Sequence, residues 1–170
     1  MTGIAHRDSR PADAGPVADL FARSFGETFA HLYRPEDLAA FLHSASAEAF
    51  ERELADPSFD FRIAEAAGQA VGFAKLGKAS LPVETPPGTL ELGQIYVLNA
   101  WQGTGIGAAL FDWAAKRARD RGADYLQLTV YVDNHRARAF YERRGFVEVG
   151  RYDFMVGSHA DEDIIMRAAL

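Results

Sequence analysis

The sequence predicts an α+β protein, on three observations. Apolar residues recur at helical spacing through the first third of the chain. The period then drops to two in neighbouring segments. Beyond a glycine-rich turn, helix and strand patterns alternate. The 170 residues suffice for one domain with a real core. No repeat, low-complexity block or long linker divides them, so residues 1–170 are expected to form a single domain.

Residues 4–7 fit a short first strand. Pro11 suits the opening turn of a helix whose stripe is Val17, Leu20, Phe21, Ser24 and Phe25. Pro35 opens a second helix with Leu38, Phe41 and Leu42 on one face. A third covers 47–54 and stops before Asp56-Pro57. Phe59, Phe61 and Ile63 alternate with Asp60, Arg62 and Ala64 along a strand that reaches Ala66. Gly68-Gln69 is expected to turn the chain, and 71–78 returns as the other arm of a hairpin. The proline-rich stretch 82–88 is a loop. The next strand, 89–97, has Leu90, Leu92, Gln94 and Tyr96 on one face, and Glu91, Gly93, Ile95 and Val97 on the other. Ile106, Ala109, Leu110, Trp113 and Ala114 form a helical stripe that ends near Arg121-Gly122. A strand over 125–132, a helix capped by Asn134 and ending at Arg144-Gly145, and closing strands at 146–154 and 164–167 complete the order.

Composition narrows the chemistry. With no cysteine there are no disulfides, thiolate metal sites or cysteine nucleophiles, so any thiol must come from a co-substrate. The residues from Met1 to Arg10 lack the apolar core of a signal peptide, and no apolar run approaches the ~20 residues that span a bilayer. A cytoplasmic enzyme is expected. A net charge of −6 speaks against nucleic acid as the main partner. The five histidines have no ligand spacing, so no metal is expected.

The informative stretch runs from Gln94 through Ile95-Tyr96-Val97 to Gln102-Gly103-Thr104-Gly105-Ile106-Gly107-Ala108: a strand, a turn, and glycines opening a helix. Glycine lets backbone N–H groups converge without a Cβ in the way, and the helix start adds unpaired N–H groups and the positive end of its dipole. Such a turn can cradle a diphosphate, or it can serve packing alone. A Walker A loop needs Lys and Ser or Thr where Ala108 and Ala109 stand, and a dinucleotide fingerprint needs a different glycine spacing.

This segment resembles the acetyl-CoA-binding core of the GNAT superfamily of N-acetyltransferases, whose pattern Gln102, Gly105 and Gly107 match. Asn134-His135-Arg136-Ala137-Arg138-Ala139-Phe140-Tyr141 through Gly145-Phe146 is similar to the family's second signature. Residues 27–38, 152–157 and 163–166 resemble the small bacterial spermidine and spermine acetyltransferases. The resemblance implies a mixed, mostly antiparallel sheet with splayed central strands and helices on both faces, with acetyl-CoA as co-substrate. It implies CoA contacts at Ile95, Tyr96, Val97, Gln102, Gly103, Thr104, Gly105, Ile106, Gly107, Ala108, Asn134 and Tyr141.

Acetyl transfer to an amine requires deprotonation, because an alkylammonium of pKa ~10.4 leaves about one molecule in a thousand nucleophilic at pH 7. Tyr141 is the candidate acid for the departing sulfur, as its family counterpart is; the alternative is a buried aromatic like Phe140. Glu91 is the candidate base, directly or through water, or a carboxylate that only holds the substrate. Asn134 can bond the CoA arm, cap its helix, or both. Arg136, Arg138, Arg143 and Arg144 can meet phosphates or simply face solvent. Glu27, Glu36 and Asp37 are candidates for attracting a polyamine, or are ordinary helix-terminal carboxylates. The expected activity is acetylation of a small-molecule primary amine, polyamines first, without a covalent enzyme intermediate, by a monomer or homodimer. The alternatives are acetylation of a protein N-terminus or lysine, and a non-catalytic acyl-CoA-binding sensory module.

Overall fold

The computed structural model describes residues 3–170; Met1 and Thr2 lie outside the described residues. Its strands are β1 (Ile4–Asp8), β2 (Asp60–Ala66), β3 (Gln69–Lys78), β4 (Thr89–Val97), β5 (Tyr125–Tyr131), β6 (Val147–Val156) and β7 (His159–Ala169). They form one sheet in the order β1-β2-β3-β4-β5-β7-β6. Every neighbouring pair is antiparallel except β4 and β5. The helices are α1 (Ala14–Phe29), α2 (Pro35–Ser44), α3 (Ala47–Ala55), α4 (Ile106–Asp120) and α5 (His135–Glu142).

The sheet buries both faces. On one, Phe21 of α1 and Phe50 of α3 meet Phe61, Phe73 and Tyr96, while Phe41 of α2 meets Phe154 of β6. On the other, Ile106 and Leu110 of α4 close on Gly72, where a Cβ would lie 3.1 Å from the Ile106 side chain. Phe73, Ile63, Leu76, Leu110 and Leu126 are wholly buried between these layers. Replacing such a leucine with alanine typically costs about 2–5 kcal/mol.

Two expectations are corrected. The β2–β3 turn is Ala67-Gly68, both at positive φ (51° and 75°), and Gln69 already pairs with Ala66. A two-residue hairpin whose twist suits its strands wants positive φ at both central positions, and here alanine takes one of them. The closing strands are also longer than expected: β6 runs to Val156 and β7 begins at His159, so the polar run His159–Asp163 is strand rather than loop.

The pairing of β4 defines the molecule's opening. It meets β5 only through Thr89–Tyr125, Leu90–Leu126 and Glu91–Gln127, and beyond these pairs the two strands part. Two residues further along, β4 bulges. Leu76 pairs with Leu92 and Lys75 with Gln94, leaving Gly93 as the extra residue. The bulge inverts the facing expected from simple alternation. Through their β3 partners, Glu91, Gln94 and Tyr96 share the face of Gly77, Lys75 and Phe73, toward α1 and α3. Ile95 and Val97 fall on the α4 face.

Candidate active site

The parted end of β4 leads through a turn at Asn99–Trp101 into α4. Gly105 is the residue before α4, at φ 91°, and Gly103 has φ 77°. These left-handed conformations turn backbone amides toward one side at a strain that glycine alone escapes. A Cβ at Gly103, Gly105 or Gly107 would meet no atom within 4 Å. The backbone of the turn therefore borders open space, a cavity of about 500 Å³ also lined by Val97, Ala108 and Arg143. Residues and cavity fit a diphosphate held on the N-terminus of α4, with a slender arm running beside Ile95 and Val97. Gln102 secures the turn, its amide donating to the Val97 backbone carbonyl and to Asn99 Oδ1 at 3.1 Å each.

A second cavity, about 560 Å³, lies on the α1 side of the gap between β4 and β5. Its walls carry the rings of Phe25, Tyr33, Phe41, Tyr96 and Tyr152, and the carboxylates of Glu53, Glu91, Asp161 and Asp163. Ile95, Val97, Asn134 and Tyr141 border both cavities, so the two spaces meet at these residues.

Tyr141 stands at that junction on α5. It is 7% exposed and set among Phe111, Phe140 and Phe146, with ring centroids 5.9, 5.2 and 5.6 Å away. Burial raises its pKa well above the usual phenol, the nearby Arg144 opposing slightly, so it stays protonated at neutral pH. Asn134 caps α5, its side chain accepting from the Ala137 amide at 3.3 Å, while bordering both cavities.

Glu91 lies 8% exposed beneath the loop that precedes β4. Its Oε2 accepts from the amides of Ser80 and Leu81 and from Gln127 Nε2; among the described residues Oε1 accepts only the Ser80 hydroxyl, at 3.2 Å. Gln127, fully buried on β5, accepts in turn from Arg167, which also donates to the Glu84 carbonyl. Sequence reading did not single out Gln127, Asp161 or Asp163. The two aspartates sit in a run whose composition reads as a turn, and Gln127 is one polar residue in an apolar strand.

Other expected residues stand elsewhere. Thr104 turns its hydroxyl back to the Trp101 carbonyl, and Ile106 is buried in the core. Tyr96 packs against Phe21 and Phe73 on the face opposite Ile95 and Val97, with burial first and Asp163 second raising its pKa. Glu27 accepts from the Asn99 amide and pairs with Arg23, outside the acidic cavity. Glu36 is an exposed partner of Arg34. Asp37 pins the β6–β7 hairpin, accepting from the amide and hydroxyl of Ser158 and pairing with Arg34. Of the four arginines considered, Arg136 and Arg143 border the glycine-lined cavity. Arg138 donates to the Val132 carbonyl, and Arg144 stacks on Phe140.

A splayed, mostly antiparallel sheet between helices, with a glycine-lined helix start at the gap, is the architecture of an acyl-CoA-dependent N-acetyltransferase. The acetyltransferase (GNAT) family model matches residues 23–146, and the chain belongs to that family, whose acetyl donor is acetyl-CoA. The chain is similar to an uncharacterised N-acetyltransferase of Mycobacterium tuberculosis, with 32% identity over 91% of this chain and 96% of the relative. It is also similar to the N-alpha-acetyltransferase RimI of the same organism, with 33% identity over 90% and 91%. Among solved structures, the PaiA N-acetyltransferase of Thermoplasma acidophilum, in complex with coenzyme A, superposes with a TM-score of 0.78 at 21% identity, covering 99% of both chains.

Proposed function

We propose that the protein transfers the acetyl group of acetyl-CoA to a primary amine of a small cationic molecule, with polyamines the first choice. The observation that carries this reading is the aromatic-walled cavity of about 560 Å³ with four carboxylates, which meets the glycine-lined cavity at Tyr141. Ammonium groups are recognised by carboxylates and by ring faces together, which suits a small cationic acceptor.

Bound acetyl-CoA supplies the activated thioester. The chain's own residues do the rest. The first turn of α4 holds the diphosphate, and Ile95 and Val97 set the depth of the thioester at the junction. Tyr141, held protonated by burial, donates to the sulfur as it departs. Glu91 supplies negative charge, and its less occupied Oε1 offers a seat for water. Attack is direct, with no acyl-enzyme.

The test is acceptor-dependent release of CoA thiol from acetyl-CoA, with spermidine, spermine, amino acids, aminoglycosides and short peptides as acceptors; the absence of cysteine removes any thiol background from the protein itself. Turnover with polyamines supports the reading. The similarity to RimI favours a second one, a peptide α-amine as acceptor, and release with peptides alone would establish it. Tight acetyl-CoA binding without release across the panel would point to a sensory module.

A further inference from the structure

We propose that Asp163, on β7, is the group that takes the proton from the acceptor ammonium. The inference rests on the acetyltransferase reading above and names a residue within the same site. Asp163 is 7% exposed and borders the acidic cavity. It pairs in register with Tyr131 of β5 and Tyr152 of β6, so these three side chains share the face of the sheet that the cavity occupies. Asp161, two residues earlier, shares that face.

The other carboxylates of the cavity are already engaged. Glu53 pairs with Lys75 at 3.1 Å. Glu91 takes four donors. Asp161 accepts from the Tyr33 hydroxyl and lies 3.0 Å from His159 Nε2. Glu91 and Asp163 both lack an ion pair among the described residues, but Glu91 has four neutral donors where Asp163 has the Thr129 hydroxyl. The groups facing it are Asp161 on its own strand, Thr129 and Tyr131 from β5, Tyr152 from β6, Tyr96 and Glu91 from β4, and Tyr33 before α2. None is a cation. Burial, and then Asp161, raise its pKa to about 7. The carboxyl is thus half-ionised near neutrality, where a general base works best. Asp163 and Tyr141 both line the cavity that Tyr96 also walls.

The step balances. Asp163 takes one N–H proton and leaves a lone pair on nitrogen. A C–N bond forms to the acetyl carbonyl carbon as the C–S bond breaks, and Tyr141 gives its phenolic proton to the sulfur. The second proton lost from nitrogen restores Tyr141 through solvent. Asp163 releases its proton to bulk, one per turnover.

The experiment is the pH profile of kcat/KM for wild type, Asp163→Asn, Asp163→Glu and Glu91→Gln, with spermidine and an alanine-terminated peptide as alternative acceptors. Acetyl-CoA binding is measured alongside as the control for folding. Wild type should show an ascending limb near pH 7. Asp163→Asn should bind acetyl-CoA normally, lose that limb and fall about 10²-fold at pH 8. Asp163→Glu should restore part of the rate together with the limb, and Glu91→Gln should keep the limb. A limb that persists in Asp163→Asn, or disappears in Glu91→Gln, overturns the assignment. Turnover of the peptide alone sinks the small-amine reading, and the limb in Asp163→Asn then still decides the role of Asp163. Silence with both acceptors overturns both.

Discussion

Two buried side chains carry opposite kinds of work. Tyr141 packs like any core aromatic, yet it is among the residues that border both cavities, and burial keeps its proton in place. Tyr141→Phe preserves the packing and removes only the hydroxyl. We expect acetyl-CoA binding to be unchanged and kcat to fall by about 10²-fold, read by calorimetry and thiol release. An unchanged kcat would remove Tyr141 as the acid. Gln127 does structural work. It relays hydrogen bonds from Arg167 to Glu91 with both ends of its amide used and no surface exposed. Gln127→Leu fits the volume but leaves Arg167 with the Glu84 carbonyl alone and Glu91 with one donor fewer. Losing such buried partners costs about 1–3 kcal/mol, and the urea midpoint should fall accordingly with an unchanged m-value.

At the level of elements, β4 shows what a sequence can and cannot reveal. Its span, the glycine turn and the capped start of α5 were legible because hydrophobic period, glycine and an Asn cap are local signals. Its facing was not. The bulge at Gly93 is set by pairing with β3, so Glu91 turns away from Ile95 and Val97 although alternation put them together. The acidic wall was missed for a related reason. His159–Asp163 looks like a polar loop, and only its pairing with β6 and β5 makes it strand and turns its aspartates inward. The tip of that hairpin is fixed by Asp37 on α2. Gly157 there has φ 57°, and a Cβ would fall 2.4 Å from the Asp37 carboxylate, so both the turn and the contact require glycine. Arg34, then the Ser158 amide, lower the Asp37 pKa to about 2. A depressed carboxyl stabilises the fold above its unfolded pKa, ~3.9, and the contribution fades as pH falls toward 2. Wild type should therefore exceed Asp37→Asn in urea stability at pH 6, with the gap closing between pH 4 and about 2. A gap that is constant with pH would mean that the ionised carboxylate is not what pins the hairpin.

For the whole molecule, the gap between β4 and β5 is both the site and a cost. A sheet whose two halves part after three residue pairs gives up ladder hydrogen bonds, and the opened walls collect acidic groups from β4, β7 and α3 around one cavity. A carboxyl that is hard to ionise there suits proton transfer and opposes folding. Asp163 has an ordinary pKa of ~3.9 in the unfolded chain and about 7 in the fold, through burial first and Asp161 second. The folded state thus holds the proton more tightly. The contribution of Asp163 to stability should be highest below pH 4, decline as pH rises from about 4 to about 7, and level off above it. Asp163→Asn removes the penalty because its amide does not ionise. The variant should melt a few degrees above wild type at pH 8, and the difference should shrink to nothing as pH falls toward 4, read by calorimetry at fixed ionic strength. A variant that is less stable than wild type at pH 8 would mean that the ionised carboxylate is compensated by partners in the fold. A gain in stability paired with a loss of turnover would identify Asp163 as a place where the fold gives up stability to make an amine reactive.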